Sequence, residues 1–195
     1  MIGPRKRQSL RLGAALAVTT VILDQLSKFY LLRALRLPGE RSPVVIAPFL
    51  DLSFVWNHGI SYGLFQQDSE FGRWILVGLS VAAVCAIGVW LSRTQSRMTG
   101  VALGLIAGGA LGNALDRALY GAVIDFLHLH GGAVPWLDFP YSFNLADAAI
   151  SLGVVLLLAE SVFSKAFSGE AASGLPESDR EGSRKETLES SRKPG

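Results

Sequence analysis

Four long apolar stretches constrain this chain more than any other feature of its sequence. They cover about residues 13–32, 74–91, 98–117 and 143–167. A helix that crosses the hydrocarbon core of a bilayer needs roughly 20 mostly apolar residues, and each stretch is close to that length. Of the whole chain 50% is hydrophobic and 17% is charged, against about 25% charged in soluble proteins. We therefore predict an all-α membrane protein with four transmembrane helices.

The basic residues predict how these helices are oriented. Residues 1–12 contain four basic and no acidic side chains, Arg93 and Arg97 separate the second and third stretches, and Lys165 ends the fourth. In a four-span arrangement all of them lie on one side, which the positive-inside rule makes cytoplasmic. The first stretch has the basic start of a signal peptide, but no small-residue cleavage site follows it, so we expect a retained helix. Both termini are then predicted to be cytoplasmic.

The segments outside the apolar stretches differ in character. Residues 36–70 contain several prolines and β-branched or aromatic runs, which predict a small β-containing extracytoplasmic segment between helices 1 and 2. Residues 118–142 form a second outer connection. Residues 168–195 mix acidic, basic, Ser, Gly and Pro residues, so we expect a disordered cytoplasmic tail after a membrane domain of residues 1–167.

Polar residues within or beside the apolar stretches are predicted to meet at one depth, near the outer boundary. Asp24 and Lys28 share a face of the first helix, and Asp125 lies in the second outer connection. The others, at the outer ends of helices 3 and 4, are Asn113, Asp116, Arg117, Asn144 and Asp147. A charged side chain in a bilayer costs at least about 2.5–3.5 kcal/mol and usually marks a functional site. The alternative is a set of structural ion pairs, Asp24 with Lys28 and Asp116 with Arg117.

Other functions find less support in the sequence. A net charge of +2 is too small to indicate a nucleic acid partner, and the single cysteine excludes an internal disulfide. Cys85 lies within an apolar run, where we expect it to be a small buried hydrophobic residue. His128 and His130 have no accompanying ligand spacing, so no metal site is predicted.

Five short motifs resemble those of the bacterial lipoprotein signal peptidases (signal peptidase II), a family of intramembrane aspartyl proteases. They are DQLSK at 24–28, NHGISYG at 57–63, GGALGNALDR at 108–117, VIDF at 123–126 and FNLAD at 143–147. The resemblance extends from about residue 10 to residue 167 in the family's order and spacing. His58 and Ser61 depart from it, because small or apolar residues are more usual at these two positions.

The resemblance implies a function and a site. Asp125 and Asp147 would form the catalytic dyad, and other motif residues would support the site or the substrate. These supporting residues are Asp24, Lys28, Asn57, Gly59, Asn113, Asp116, Arg117 and Asn144. The substrate would be a prolipoprotein, cut before its diacylglyceryl-modified cysteine. We expect a monomer without a cofactor, surrounded by membrane lipid in the bacterial inner membrane, with its active site near the outer face.

Two other classes of protein remain as alternatives. A small ion or proton-coupled transporter would use the same acids as a path, but it should carry polar groups through both leaflets, and the second apolar stretch has almost none. A structural scaffold has no use for two unpaired acids.

Overall fold

The computed structural model contains the four predicted helices and a small sheet. It describes residues 3–33, 43–59, 70–129 and 142–173. The helices are α1 (Pro4–Arg33), α2 (Glu70–Arg93), α3 (Arg97–Tyr120) and α4 (Leu145–Ser173). By length and composition, all four are long and apolar enough to cross a membrane. The prediction of a four-helix membrane protein is therefore confirmed.

The helices extend beyond the apolar stretches at several ends. α1 begins at Pro4, ahead of the apolar run that starts at Gly13, because proline suits the first turn and the Arg, Lys, Gln and Leu residues after it are strong helix formers. α3 ends at Tyr120, and the positive φ of 83° at the next residue, Gly121, lets the Gly121 amide bond back to the carbonyl of Arg117. Hydropathy therefore located the helix centres but underestimated their length.

Helix α3 is the centre of the bundle. In the most apolar part of α3, 56% is buried within the protein, compared with 11% in the corresponding part of α2. One row of its glycines, spaced four residues apart, faces α1: a Cβ on Gly108 would lie 2.6 Å from the carbonyl oxygen of Ala17 and 2.7 Å from Cβ of Thr20. In the sequence, the four-residue spacing of Gly104, Gly108 and Gly112 predicts such a small-residue face, which lets two backbones approach closely, and the structure confirms it.

The sheet is larger than the sequence predicted. Strands β1 (Val44–Ala47) and β2 (Leu50–Asn57) come from the first connection, as expected, and β3 (Val123–Leu129) and β4 (Ser142–Phe143) come from the second. The order is β1-β2-β3-β4, and every pairing is antiparallel. Val55 pairs with Asp125, so the VIDF motif lies in a strand beside β2.

A small apolar core joins the sheet to α1. Leu31, Ile124 and Phe126 are buried together, with Leu52 and Phe54 packed against them. Elsewhere many large apolar side chains point outward from α1, α2 and α4, as expected of helices surrounded by lipid.

Cys85 is among the exposed residues of α2, so the prediction that it is buried is wrong. An all-round apolar helix gives no periodicity from which to choose its inner face.

The chain divides into two compact units, residues 1–157 and residues 158–195. The first contains the sheet and most of the helical bundle. The second is described as far as Ser173, where it is helical. Most of the tail predicted to be disordered, and the motif residue Ser61, lie outside the described residues.

Candidate active site

Asp125 lies in β3 with both carboxylate oxygens hydrogen-bonded. Asn57, at the end of the neighbouring strand, donates its side-chain amide to Oδ2 at 2.9 Å, and Asn144 donates to Oδ1 at 2.7 Å. The carboxyl is 2% exposed. Asn57 is in reach because the antiparallel register brings the end of β2 alongside the start of β3.

Asp147 lies in the first turn of α4 and is half-buried. Its Oδ1 accepts from the Asn113 side chain at 2.8 Å, and its Oδ2 accepts from the Asn144 backbone amide at 3.3 Å. Asn144 in turn accepts from the Asp147 backbone amide at 3.0 Å, so the two residues cap the helix reciprocally. This capping fixes the orientation of the Asp147 side chain.

Asn144 and Asn113 connect the two aspartates. The Asn144 side-chain amide donates to Asp125 and also to the side-chain Oδ1 of Asn113 at 3.1 Å, and the Asn113 side-chain amide donates to Asp147. Residues from β3, α3 and α4 thus form one hydrogen-bonded chain with a carboxyl group at each end.

The environment of Asp125 favours a bound proton. The pKa of its carboxyl rises from 3.8 to about 6. Burial is the largest cause of this rise, and the nearby charge of Asp147 also contributes to it. Hydrogen bonds from Asn57 and Asn144 act against this rise by stabilising the anion. Two carboxyl groups that interact in this way can share one proton near neutral pH.

A second polar cluster, the lysine cluster, lies beside the pair and consists of Asp24, Gln25, Lys28 and Asp116. The Lys28 ammonium contacts carboxylate oxygens of both Asp24 and Asp116 at 2.7 Å. Gln25 donates to Asp116 at 2.8 Å. The two carboxylates are completely buried, and Lys28 is 2% exposed. The expected Asp24–Lys28 pair is confirmed.

The expected Asp116–Arg117 pair is wrong. Neighbouring residues on a helix point in different directions, so Asp116 faces Lys28 while Arg117 faces the end of β2. Arg117 donates to the Gly59 carbonyl oxygen at 2.8 Å and to that of Asn113 at 3.3 Å. The Gly59 amide donates to the Asn57 side chain at 3.0 Å, so Arg117 contacts the turn that carries Asn57.

The structure therefore brings all ten predicted site residues into one connected region, where α1 and α3 end and α4 begins. Two contributors were missed. Gln25 holds both acids of the lysine cluster and lies within the DQLSK motif. Arg73 of α2 donates to the carbonyl oxygens of Arg117 and Ala118 at 2.7 Å, anchoring the end of α3. A helix-end arginine gives no sequence signal that separates it from an interfacial one.

No group of His, Cys, Asp or Glu that could hold a metal ion occurs in the part of the chain that the structure describes. His130 lies outside that part, and so do residues 131–141 of the second connection.

Comparisons with known proteins agree on one family. A family model described as "Signal peptidase (SPase) II" matches residues 16–163. The lipoprotein signal peptidase of Methylobacterium sp. (strain 4-46) is 55% identical over 163 residues, 84% of this chain and 95% of that protein. The lipoprotein signal peptidase of Caulobacter vibrioides (strain ATCC 19089 / CIP 103742 / CB 15) is 44% identical over 153 residues, 77% of this chain and 86% of that protein.

Two solved structures share the fold, each described as a bacterial membrane enzyme. One has a TM-score of 0.66 at 25% identity and covers 78% of this chain and 88% of its own. The other has a TM-score of 0.62 at 26% identity and covers 75% and 90%. The similarity of fold therefore extends over about three quarters of this chain.

Proposed function

The chain belongs to the signal peptidase II family, and we propose that Asp125 and Asp147 are the carboxyl pair with which it cleaves prolipoproteins. Membership makes the chain a protease that processes lipoproteins as a multi-pass protein of the bacterial inner membrane. The observation that carries the proposal is the hydrogen-bonded chain from Asp125 through Asn144 and Asn113 to Asp147.

Peptide hydrolysis explains why two carboxyl groups are needed. A base must take a proton from the attacking water, and an acid must polarise the scissile carbonyl and later protonate the leaving amine. A pair that shares one proton supplies both groups at once. The raised pKa of Asp125, about 6, supports such sharing because it brings proton binding by the pair closer to neutral pH. The proton belongs to the pair, so neither role is assigned to one residue.

The asparagines keep this pair in a reactive arrangement. Asn57 and Asn144 donate to Asp125, and Asn113 donates to Asp147, which leaves each carboxyl oriented by partners from other elements. Attack of water on the carbonyl carbon makes a tetrahedral intermediate. Its collapse breaks the C–N bond as the proton passes to the amine. Because the asparagine amides already hold the two carboxyl groups before the reaction, these groups need not reorganise as their charges change.

The substrate follows from family membership and the surroundings of the site. We propose cleavage before a diacylglyceryl-modified cysteine, near the outer face of the membrane. The lipid chains of such a cysteine would stay in the bilayer, along the exposed apolar faces of the helices. The scissile bond would then lie at the level of the helix ends, where Asp125 and Asp147 meet.

The transporter alternative has less support. In the described part of the chain, the buried ionisable residues lie at one end of the bundle, namely Asp24, Lys28, Asp116 and Asp125. A path for ions needs polar groups through both leaflets.

Cleavage of a diacylglyceryl-modified prolipoprotein by purified protein in detergent tests the proposal. We expect Asp125→Asn and Asp147→Asn each to lower kcat by about 10²–10⁴-fold, because each removes one partner in the proton transfer. Glu160→Gln is the matched control, since that carboxylate lies on α4 more than three helical turns after Asp147 and outside the site. Near-normal cleavage by either folded aspartate variant would refute the pair.

A further inference from the structure

The lysine cluster does more than pair charges, because each of its carboxylates also accepts a backbone hydrogen bond. Asp116 accepts from the amide of Ile124 at 3.1 Å, and Asp24 accepts from the amide of Ala146 at 3.0 Å. These two amides belong to the residues immediately before Asp125 and Asp147. One buried cluster therefore reaches the backbone next to both members of the pair.

These bonds act on the two elements that carry the aspartates. The Ile124 amide belongs to β3, and the bond to Asp116 ties that strand to the end of α3. The Ala146 amide lies in the first turn of α4, where backbone amides have no partner within the helix. Asp24 supplies that partner from α1. Both acceptors are carboxylates, which makes these bonds stronger than bonds between neutral groups.

Lys28 connects the two carboxylates that make these backbone hydrogen bonds. Its ammonium lies 2.7 Å from each carboxylate, and Gln25 donates to both of them. The close approach of α1 and α3 requires Gly112, where a Cβ would lie 2.6 Å from Oδ2 of Asp24. A displacement of either carboxylate therefore disturbs the other through the shared ammonium.

We propose that Asp24 and Asp116 are positioning residues, which align Asp125 with Asp147 by holding the backbone just before each of them, with Lys28 coupling the two. The inference rests on the proposed catalytic role of that pair. Alignment matters because a misplacement of about 1 Å at a reacting group can cost about 10²-fold in rate. A purely stabilising ion cluster would need no bond to these two amides.

Two substitutions at Asp116 separate positioning from charge. Asp116→Leu and Asp116→Asn both remove the charge and have similar size, but only asparagine keeps an oxygen for the Ile124 amide. To accept from the new side chain, Gln25 must turn its amide and give up its bond to Asp24, so the recovery is partial. We expect Asp116→Leu to lower kcat by about 10²-fold with KM changed by less than about threefold, and Asp116→Asn to recover at least about tenfold of that loss.

Hydrogen exchange of purified protein in detergent gives a readout that is independent of cleavage. Asp116→Leu should speed exchange most in peptides that contain Ile124 and to a smaller extent, through Lys28, in those that contain Ala146, and Asp24→Leu should do the reverse. A general loss of stability would speed exchange throughout the bundle. Equal kcat in the two Asp116 variants, or unchanged exchange at Ile124 in folded Asp116→Leu, would overturn the inference.

The test remains decisive if Asp116→Leu fails to fold. Asp116→Asn must then show near-normal exchange at Ile124, and a loss of kcat greater than about tenfold with that exchange unchanged would overturn the inference. Failure of the proposed function is separate, because it would appear as cleavage by Asp125→Asn or Asp147→Asn, whereas the exchange pattern does not depend on catalysis.

Discussion

At the scale of single residues, Asn144 carries the most connections in the site. Its side-chain NH2 group donates to Asp125 and Asn113, and its side-chain Oδ1 accepts from the backbone amide of Asp147. It is completely buried, so no water competes for these groups. One residue thus performs two separable tasks, capping α4 and joining the two aspartates.

Substitutions at Asn144 should separate these tasks. Serine can still cap the helix but has no amide with which to reach Asp125, whereas alanine can do neither. We expect Asn144→Ser to be more stable than Asn144→Ala by about 1 kcal/mol, the usual value of a cap. Both variants should have low cleavage rates. Thermal unfolding and cleavage assays of the two proteins measure these effects, and normal cleavage by Asn144→Ser would contradict the joining role.

The buried Asp125 should make stability depend on pH. Its pKa rises from 3.8 to about 6 on folding, so between these values the folded chain binds more protons than the unfolded chain. Stability should therefore fall as pH rises through that window, by as much as about 3 kcal/mol above pH 6. Asp125→Asn has no such proton to lose, so its stability relative to the wild type should increase with pH.

The free energies of unfolding of wild type and Asp125→Asn, measured in detergent at about pH 4.5 and about pH 7.5, test this expectation. Most of the fall in wild-type stability lies between these two pH values. Lost hydrogen bonds in Asp125→Asn add a constant offset, so the change with pH is the informative quantity. In Asp147→Asn the fall should move to lower pH, because the Asp147 charge contributes to the raised pKa of Asp125. A difference between Asp125→Asn and wild type that stays constant with pH would contradict the expectation.

Much of the site could be predicted because charged residues in apolar surroundings stand out. Asp24, Lys28 and Asp116 were found in this way, and the motif resemblance distinguished Asp125 and Asp147 from the other acids. The bonding partners were less predictable. Lys28 rather than Arg117 pairs with Asp116, since that choice depends on how α1 rotates against α3.

At the scale of elements, the contact between α1 and α3 is built on glycine. Gly108 allows the backbone of α1 to come within van der Waals distance. One turn further along α3, the same close approach brings Asp24 to Gly112. The contact therefore positions the lysine cluster as well as the helices. The spacing of glycines in α3 made this contact predictable.

Adding one methyl group tests this contact. In Gly108→Ala the new Cβ would meet the Ala17 carbonyl oxygen at 2.6 Å, so the helices must separate, and we expect a loss of about 1–3 kcal/mol in stability. Gly88→Ala on α2 is the matched control, because nothing lies within 4 Å of its Cβ. That variant should be neutral or gain up to about 1 kcal/mol from helix propensity. Equal unfolding temperatures for the two variants would contradict the packing.

The sheet was only half predictable. β1 and β2 are separated by a short turn and have the composition of a hairpin, whereas β3 pairs with β2 across two intervening helices. Its first four residues are buried, so they lack the alternation of polar and apolar residues that marks a strand with one face in water. Tertiary pairing, which a single sequence does not show, decided this element.

At the scale of the whole molecule, the remaining prediction is orientation. Basic residues concentrate before the apolar part of α1 and in the turn between α2 and α3, and Ser9 donates to the carbonyl oxygen of Ser96 at 2.6 Å. These two basic regions therefore lie together at one end of the bundle. The sheet and the proposed active site lie at the other end, where α1 and α3 finish.

Cysteine labelling in intact cells tests which end faces the cytoplasm. In a Cys85→Ser background, Val45→Cys places a thiol on β1, where the residue is 70% exposed, and Gln95→Cys places one in the turn between α2 and α3. If the basic end is cytoplasmic, as the positive-inside rule requires, a maleimide that cannot cross the inner membrane should label only Val45→Cys once the outer membrane is opened. Permeabilising the inner membrane should then allow labelling of Gln95→Cys, which shows that its thiol is reactive. Labelling of only Gln95→Cys before the inner membrane is permeabilised would mean that the sheet and the aspartate pair face the cytoplasm. A lipid-modified precursor at the outer face of the membrane could not reach them there, so this result would contradict the predicted orientation.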